Sequence, residues 1–395
     1  MPRTVSTRVG LYFGLLQLFF WLSWVEYVIY LPKLAAQAGI DHGVVPWILV
    51  LDQAIFALCD WGAGLAADRV AKIIGRLGKI VAGVTALSAL AFLLLPLVTR
   101  FGAPAFVALV VVWAITSSAL RAPPLTLLGR YTPPDQQPWV GSLFLLGTGI
   151  ASALAPLLAG WITAYDPRIM FAASAVSVVV VTFSIVWAEK TLAGSAPSEE
   201  PAGSKIKIQS TTFLVFLAAI LLLAIGFQVH SFINTEPLFA KFARPNDLPP
   251  LLSLFWIGFS LLMLPASFLT RRFGGILIMA LGALLGAASA WAATQATDVV
   301  SLGLAQFICG GAWGCVTMSA VAAALAIGHP GSEGKAVGAM FSLLAVAALA
   351  RIVLVAGHFE QVPALALALP WLPSFLWSGA GLLLLPAARR TAPPA

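Results

Sequence analysis

The sequence predicts an all-α integral membrane protein with twelve transmembrane helices arranged as two six-helix bundles. Three observations lead there. Of the 395 residues, 60% are hydrophobic and 9% are charged, and the mean hydropathy is +0.97. Soluble domains carry about 25% charged residues, so a water-soluble, disordered or fibrous chain is excluded. The apolar runs are long and unbroken, which suits helices of about 20 residues and not the alternating segments, about 10 residues each, of a membrane barrel. One polar stretch divides these runs six and six.

In order, the runs cover residues 10–31, 44–66, 79–99, 103–123, 139–163, 169–188, 212–236, 250–270, 275–295, 300–327, 336–356 and 371–387. The first follows a short basic segment, Met1 to Arg8, and no small-residue cleavage site comes after it. It therefore reads as a first span, not a removed signal peptide. The second ends in Gly64-Leu-Ala-Ala-Asp68-Arg69 and leads into a basic loop, Lys72 to Lys79. The fifth carries Gly147, Gly149, Pro156 and Gly160. Between the sixth and seventh lies Ser195-Ala-Pro-Ser-Glu-Glu-Pro-Ala-Gly-Ser-Lys205, the composition of a flexible linker. The eighth ends in Phe268-Leu-Thr-Arg271-Arg272-Phe-Gly274-Gly275, so each half places a basic loop after its second run. The division is an N-terminal bundle at 1–188, a linker at 189–211 and a C-terminal bundle at 212–395.

Basic residues mark cytoplasmic loops. With the N-terminus inside, sixteen of the 22 Lys and Arg residues fall inside and five outside, with Arg351 left within a span. Both termini are therefore expected in the cytoplasm of a multi-pass plasma (bacterial inner) membrane protein. The net charge of +7 belongs to these loops, and no basic stripe suggests nucleic acid. Cys59, Cys309 and Cys315 lie within runs and lack metal-ligand spacing. No Gly-rich loop ending in Gly-Lys-Ser/Thr is present, so nucleotide does not drive the protein. No metal or cofactor is expected, and a monomer is.

Ionisable groups at membrane depth are the strongest functional clues, because each costs about 2.5–3.5 kcal/mol on insertion scales. Glu26 lies in the first run, Asp52 and Asp60 in the second, His230 in the seventh and Arg351 in the eleventh. Reckoned at about 1.5 Å per residue, Glu26, Asp52, His230 and Arg351 fall in the outer half of the membrane. Asp60 lies deeper, on the helical face of Gly64 and Asp68. An unpaired Arg351 would be costly, so an acid partner is expected: Asp52 first, Glu26 second, with His358 and Glu360 farther out. Glu26 and Asp52, at similar depth, could hold one proton between them, which proton coupling requires. A static ion pair between Asp52 and Arg351 that only secures packing is the bland alternative.

The loop pattern Gly64, Asp68, Arg69, continued with an insertion by Gly75-Arg76 and Gly78-Lys79, resembles the major facilitator superfamily, and so does the Gly- and Pro-rich fifth run. The resemblance extends over nearly the whole chain. It implies a secondary active transporter working by alternating access, not an enzyme. It places the first, fourth, seventh and tenth helices around a cavity and brings the second and eleventh together. Glu26 and His230 would then face the cavity. So would Trp24, Tyr27, Trp113, Gln228, Asn234, Gln306 and Trp313, a lining suited to a small, amphipathic organic solute. Glu26 and Asp52 would couple protons. Asp68, with Gly64, Asp60 and Arg69, would latch the cytoplasmic gate, facing the N-terminus of the eleventh helix or pairing with Arg121. The fifth run, with Ala155-Pro156 where the family has Gly-Pro, points to efflux or antiport. A proton symporter importing a small metabolite is the rival within the class. A membrane enzyme or sensor on a transporter-like scaffold is the rival outside it.

Overall fold

A computed structural model describes residues 7–70, 76–195, 210–328 and 331–391. Most of the expected linker, at 196–209, lies outside the described residues, as do Lys72 and Gly75 of the basic loop.

The described chain is built from long helices. The first half contains α1 (Thr7–Gln37), α2 (Val45–Val70), α3 (Arg76–Val98), α4 (Ala103–Tyr131), α5 (Gln137–Ile162) and α6 (Pro167–Gly194). The second half contains α7 (Thr211–Ala240), α8 (Leu248–Phe273), α9 (Gly275–Thr294), α10 (Val299–Gly328), α11 (Glu333–Ala356) and α12 (Leu372–Thr391). Eleven of these are long and apolar enough to cross a membrane. The twelfth, α12, is 20 residues long and packs on α7 and α9. Several helices run beyond the apolar cores read from the sequence. α1, for example, ends at Gln37 and not near residue 31, and its last turns bury Leu34 and Ala35 in the core of the first half.

Local chemistry accounts for the boundaries and breaks. Asp166 caps α6 by accepting from Arg168 N at 2.8 Å, with Pro167 at the first helical position. Gly274 turns the chain from α8 to α9 at φ 85°, a conformation that penalises a side chain. Two irregular turns matter more. In α4, Pro123 and Pro124 have no backbone N–H to donate, and the helix tightens to a 3₁₀ turn over Ser118–Leu120 before resuming at Ala122. In α7, one π turn spans His230–Asn234, where Thr235 Oγ1 donates to the His230 carbonyl at 2.7 Å.

Lipid supplies no hydrophobic drive for helix association, so close approach of small residues does. Gly14 and Gly147 bring α1 against α5, and Gly310 brings α10 against the Phe255 carbonyl of α8. Large apolar residues such as Leu58 (73% exposed) and Phe375 (74%) face outward. Between the halves, α2 lies along α11 and α5 along α8. This is the two-bundle, all-α architecture that the sequence predicted.

Candidate functional site

A cavity of about 590 Å³ lies between the halves. Its wall is mostly apolar and aromatic, with Trp21, Trp24 and Phe56 from the first half and Phe227, Trp256 and Trp313 from the second. The polar and charged exceptions include Gln17, Gln53, Arg121, Gln228, Glu236 and Arg351.

The end of the cavity nearer the chain termini is closed by built contacts. Asp68, on the last turn of α2, accepts from the backbone N–H of Gly334 at 2.7 Å and of Lys335 at 2.8 Å. Those donors belong to the first turn of α11, so the carboxylate also meets the positive end of that helix. One turn earlier, Gly64 touches the Gly334 carbonyl, and a Cβ there would overlap it. Gly338 meets the Asp60 carbonyl in the same way. Deeper still, Arg121 Nε lies 3.3 Å from Asp60 Oδ2, with both side chains buried. Its guanidinium sits 4.7 Å from the ring centre of Phe56 and 5.6 Å from that of Phe341. Arg121 forms part of the cavity floor, and the α4 break at Pro123-Pro124 positions it there. The pair Arg271–Asp135, at 3.0 Å, joins the halves at an exposed edge and adds little. Arg69 is exposed at the end of α2.

The geometry resolves the alternatives for Asp68: it faces the N-terminus of α11, and Arg121 pairs with Asp60 instead. Other expectations need correction. Asp52 and Arg351 do not meet. Asp52 accepts from the Tyr27 hydroxyl at 2.7 Å, inside the first bundle. Arg351 Nε donates to Gln228 Oε1 at 2.9 Å, and its guanidinium lies 4.7 Å from the Phe232 ring centre. The cavity separates the bundles at this level, so each side chain finds its partner within its own half.

Glu26 does not face the cavity either. It is 2% exposed and receives a hydrogen bond from Ser174 of α6. One carboxylate oxygen of Glu26 and one of Asp52 have no partner. His230 contacts Gln306 Oε1 at 2.9 Å through Nε2, and both are buried in the second bundle. Asn234 donates to the Leu369 carbonyl at 2.8 Å, tying α7 to the approach of α12. Tyr27 and Trp113 pack at a tilt within the first bundle, their ring centres 4.5 Å apart and their planes 51° apart. Of the expected substrate residues, Trp24, Gln228 and Trp313 line the cavity; His230, Asn234, Gln306, Tyr27 and Trp113 are not among its lining. Pro156 lines its wall through α5. Sequence reasoning missed Gln17, Gln53 and Trp256. The expected quartet of lining helices was too narrow, since α2, α5, α8 and α11 also contribute and α4 supplies Arg121 alone. A polar residue on an otherwise apolar helix face, as with Gln17 and Gln53, is the signal that could have found them.

No curated protein matches the chain. Solved structures do. The human organic anion transporter MFSD10 (TETRAN) superposes with a TM-score of 0.74 at 16% identity, covering 96% of this chain and 99% of that one. A bacterial homologue of the iron transporter ferroportin, in the outward-facing state, gives 0.73 at 10% identity, with 97% and 100% covered. The proton:xylose symporter XylE, bound to 6-bromo-6-deoxy-D-glucose, gives 0.66 at 13% identity, with 97% and 94% covered. These likenesses establish the fold. The sequence itself matches the family model for the Major Facilitator Superfamily over residues 13–350, and with helices, halves and central cavity in agreement, the chain belongs to that superfamily.

Proposed function

We propose that the protein is a secondary transporter that carries a small, amphipathic organic solute by alternating access and uses protons to drive it. The observation that carries this reading is the cavity between two bundles, closed at one end by the Asp68 cap and the Gly64 contact. Each contact joins one half to the other, so breaking them lets the halves rock. The moving bodies are residues 1–188 and 212–395, joined by the linker at 189–211, and a single chain suffices. The terminal side is cytoplasmic in a bacterial inner membrane, which makes the described arrangement outward-facing.

Proton coupling rests on Glu26 and Asp52. Each is deeply buried, and each has one carboxylate oxygen bonded to a hydroxyl and the other without a partner. Burying two such acids is far cheaper when protons neutralise them. Their position in the first bundle separates the proton site from the solute cavity, so the two would communicate through bundle movement. The Gly- and Pro-rich α5, with Pro156 in the cavity wall, favours efflux by antiport. Proton symport into the cell is the second reading, favoured by the fold shared with a proton:xylose symporter.

The test is purified protein in liposomes with an imposed pH gradient and a pH-sensitive dye, screened across solute classes. Solute movement that collapses the gradient is expected, with its direction separating antiport from symport. Solute flux indifferent to the gradient would remove the coupling, and the absence of flux for any amphipathic solute would remove the transporter reading.

A further inference from the structure

We infer that the cavity takes an amphipathic organic anion whose acidic group sits on Arg351 and Gln228. The inference rests on the cavity being the transport site and identifies the chemistry of its occupant. Three charged side chains line that cavity: Arg121, Arg351 and Glu236. Arg121 is neutralised by Asp60 at 3.3 Å. Glu236 is exposed at the mouth, eight residues along α7 from Gln228. Arg351 is partly buried, and among the described residues no carboxylate forms an ion pair with it. The acids expected to neutralise it are turned away, Asp52 to Tyr27 and Glu26 to Ser174.

What supports Arg351 is a neutral amide and an aromatic face. Its Nε donates to Gln228 Oε1 at 2.9 Å, and the Phe232 ring centre lies 4.7 Å from its guanidinium carbon. A guanidinium has five N–H donors in a planar fork, so one bond to Gln228 leaves four for a ligand. That fork matches a carboxylate or sulfonate through paired, charge-assisted hydrogen bonds. A cation held at membrane depth without a counter-charge is costly, and an anionic solute supplies the missing charge. A cationic solute would be repelled, and a neutral one would leave Arg351 unanswered.

The remaining wall selects an apolar body. Phe227 and Trp313 stack with ring centres 4.4 Å apart and planes 6° apart, and Trp256 meets Phe227 edge-on at 5.8 Å. Phe227, Trp313 and Gln228 all line this one cavity, so the acidic head and the aromatic wall share its space. An aryl carboxylate or sulfonate satisfies both.

The test uses the full chain in lipid nanodiscs and three probes of one shape: naphthalene-2-carboxylate, naphthalene-2-sulfonate and the neutral naphthalene-2-carboxamide. Binding is measured by equilibrium dialysis, with empty nanodiscs subtracted. At least one anion should bind the wild-type protein about tenfold more tightly than the carboxamide, the size expected of a charge-assisted pair. The two anions report whether the head is planar or tetrahedral. Arg351→Gln should erase the preference, and carboxamide binding that remains measurable above empty nanodiscs certifies the fold. Arg351→Lys, which keeps the charge and loses the fork, should retain part of it and serves if the Gln variant does not fold. Equal binding of anions and carboxamide by the wild type would overturn the anion assignment and leave the transport cavity standing. So would a full preference in Arg351→Gln. Failure of all three probes to bind would overturn the cavity reading and the anion assignment together.

Discussion

The side chains that organise this protein are few, and each answers a specific electrostatic debt. Asp68 meets two backbone N–H groups that α11 cannot satisfy internally, at 2.7 and 2.8 Å. Asparagine keeps one acceptor there and loses both the charge and the second bond. Asp68→Asn is therefore expected to fold, to turn over about tenfold more slowly, and to expose the closed end of the cavity. Transport assays in liposomes check the first point and thiol labelling the second; wild-type turnover would refute the latch. Glu26 is a different case. It adds nothing to packing that a neutral residue could not supply, and one of its oxygens is unpartnered. Glu26→Gln should abolish solute movement driven by a pH gradient while exchange of solute for solute continues. If the variant still moves protons with solute at the wild-type ratio, Glu26 is structural and Asp52 becomes the coupling acid.

At the level of helices, the α2–α11 seam is the most closely fitted join between the halves. Gly64 faces the Gly334 carbonyl and Gly338 faces that of Asp60, so the backbones meet with no side chain between them. Valine at position 64 cannot enter without moving one helix. Gly64→Val should destabilise this closed seam by about 1–3 kcal/mol, the usual range for overpacking. The expected result is a lower melting temperature together with a shift towards the state in which this end is open. A variant as stable and as closed as the parent would show that α2 and α11 do not seal the cavity. The π turn of α7 and the 3₁₀ turn of α4 are further devices of this scale. Each interrupts a regular ladder beside a cavity-lining residue: the first begins two residues after Gln228, the second ends just before Arg121.

For the molecule as a whole, the cavity is sealed at the terminal end and its wall reaches the other end through Leu49, Leu252 and Glu236. An engineered cysteine at Leu49 should therefore react with a membrane-impermeant thiol reagent added from the side opposite the termini, and not from the terminal side. Two-sided labelling of protein in oriented vesicles measures this. Adding Asp68→Asn should reduce the labelling, because loosening the terminal seal populates the opposite state. Labelling from the terminal side alone in the parent would invert the assigned orientation.

Sequence alone determined the solvent and the scaffold. A chain that is 60% hydrophobic with 9% charge can only be stable in lipid, and unbroken runs must be helices because lipid cannot satisfy a free backbone. The runs, the two halves and the basic loop after Asp68 were all legible for this reason. So was the place of each buried charge along its helix, since rise along a helix is a one-dimensional quantity. Direction around the helix was not. Successive residues differ by about 100° around the axis, so Asp52 and Gln53 sit at nearly one depth and look different ways. Gln53 lines the cavity while Asp52 bonds to Tyr27, and Arg351, expected to face Asp52, turns to Gln228. Which way a buried charge turns depends on which neighbours can neutralise or solvate it. Those neighbours lie up to 123 residues away for Arg351 and 148 for Glu26, and only the packed bundles bring them together.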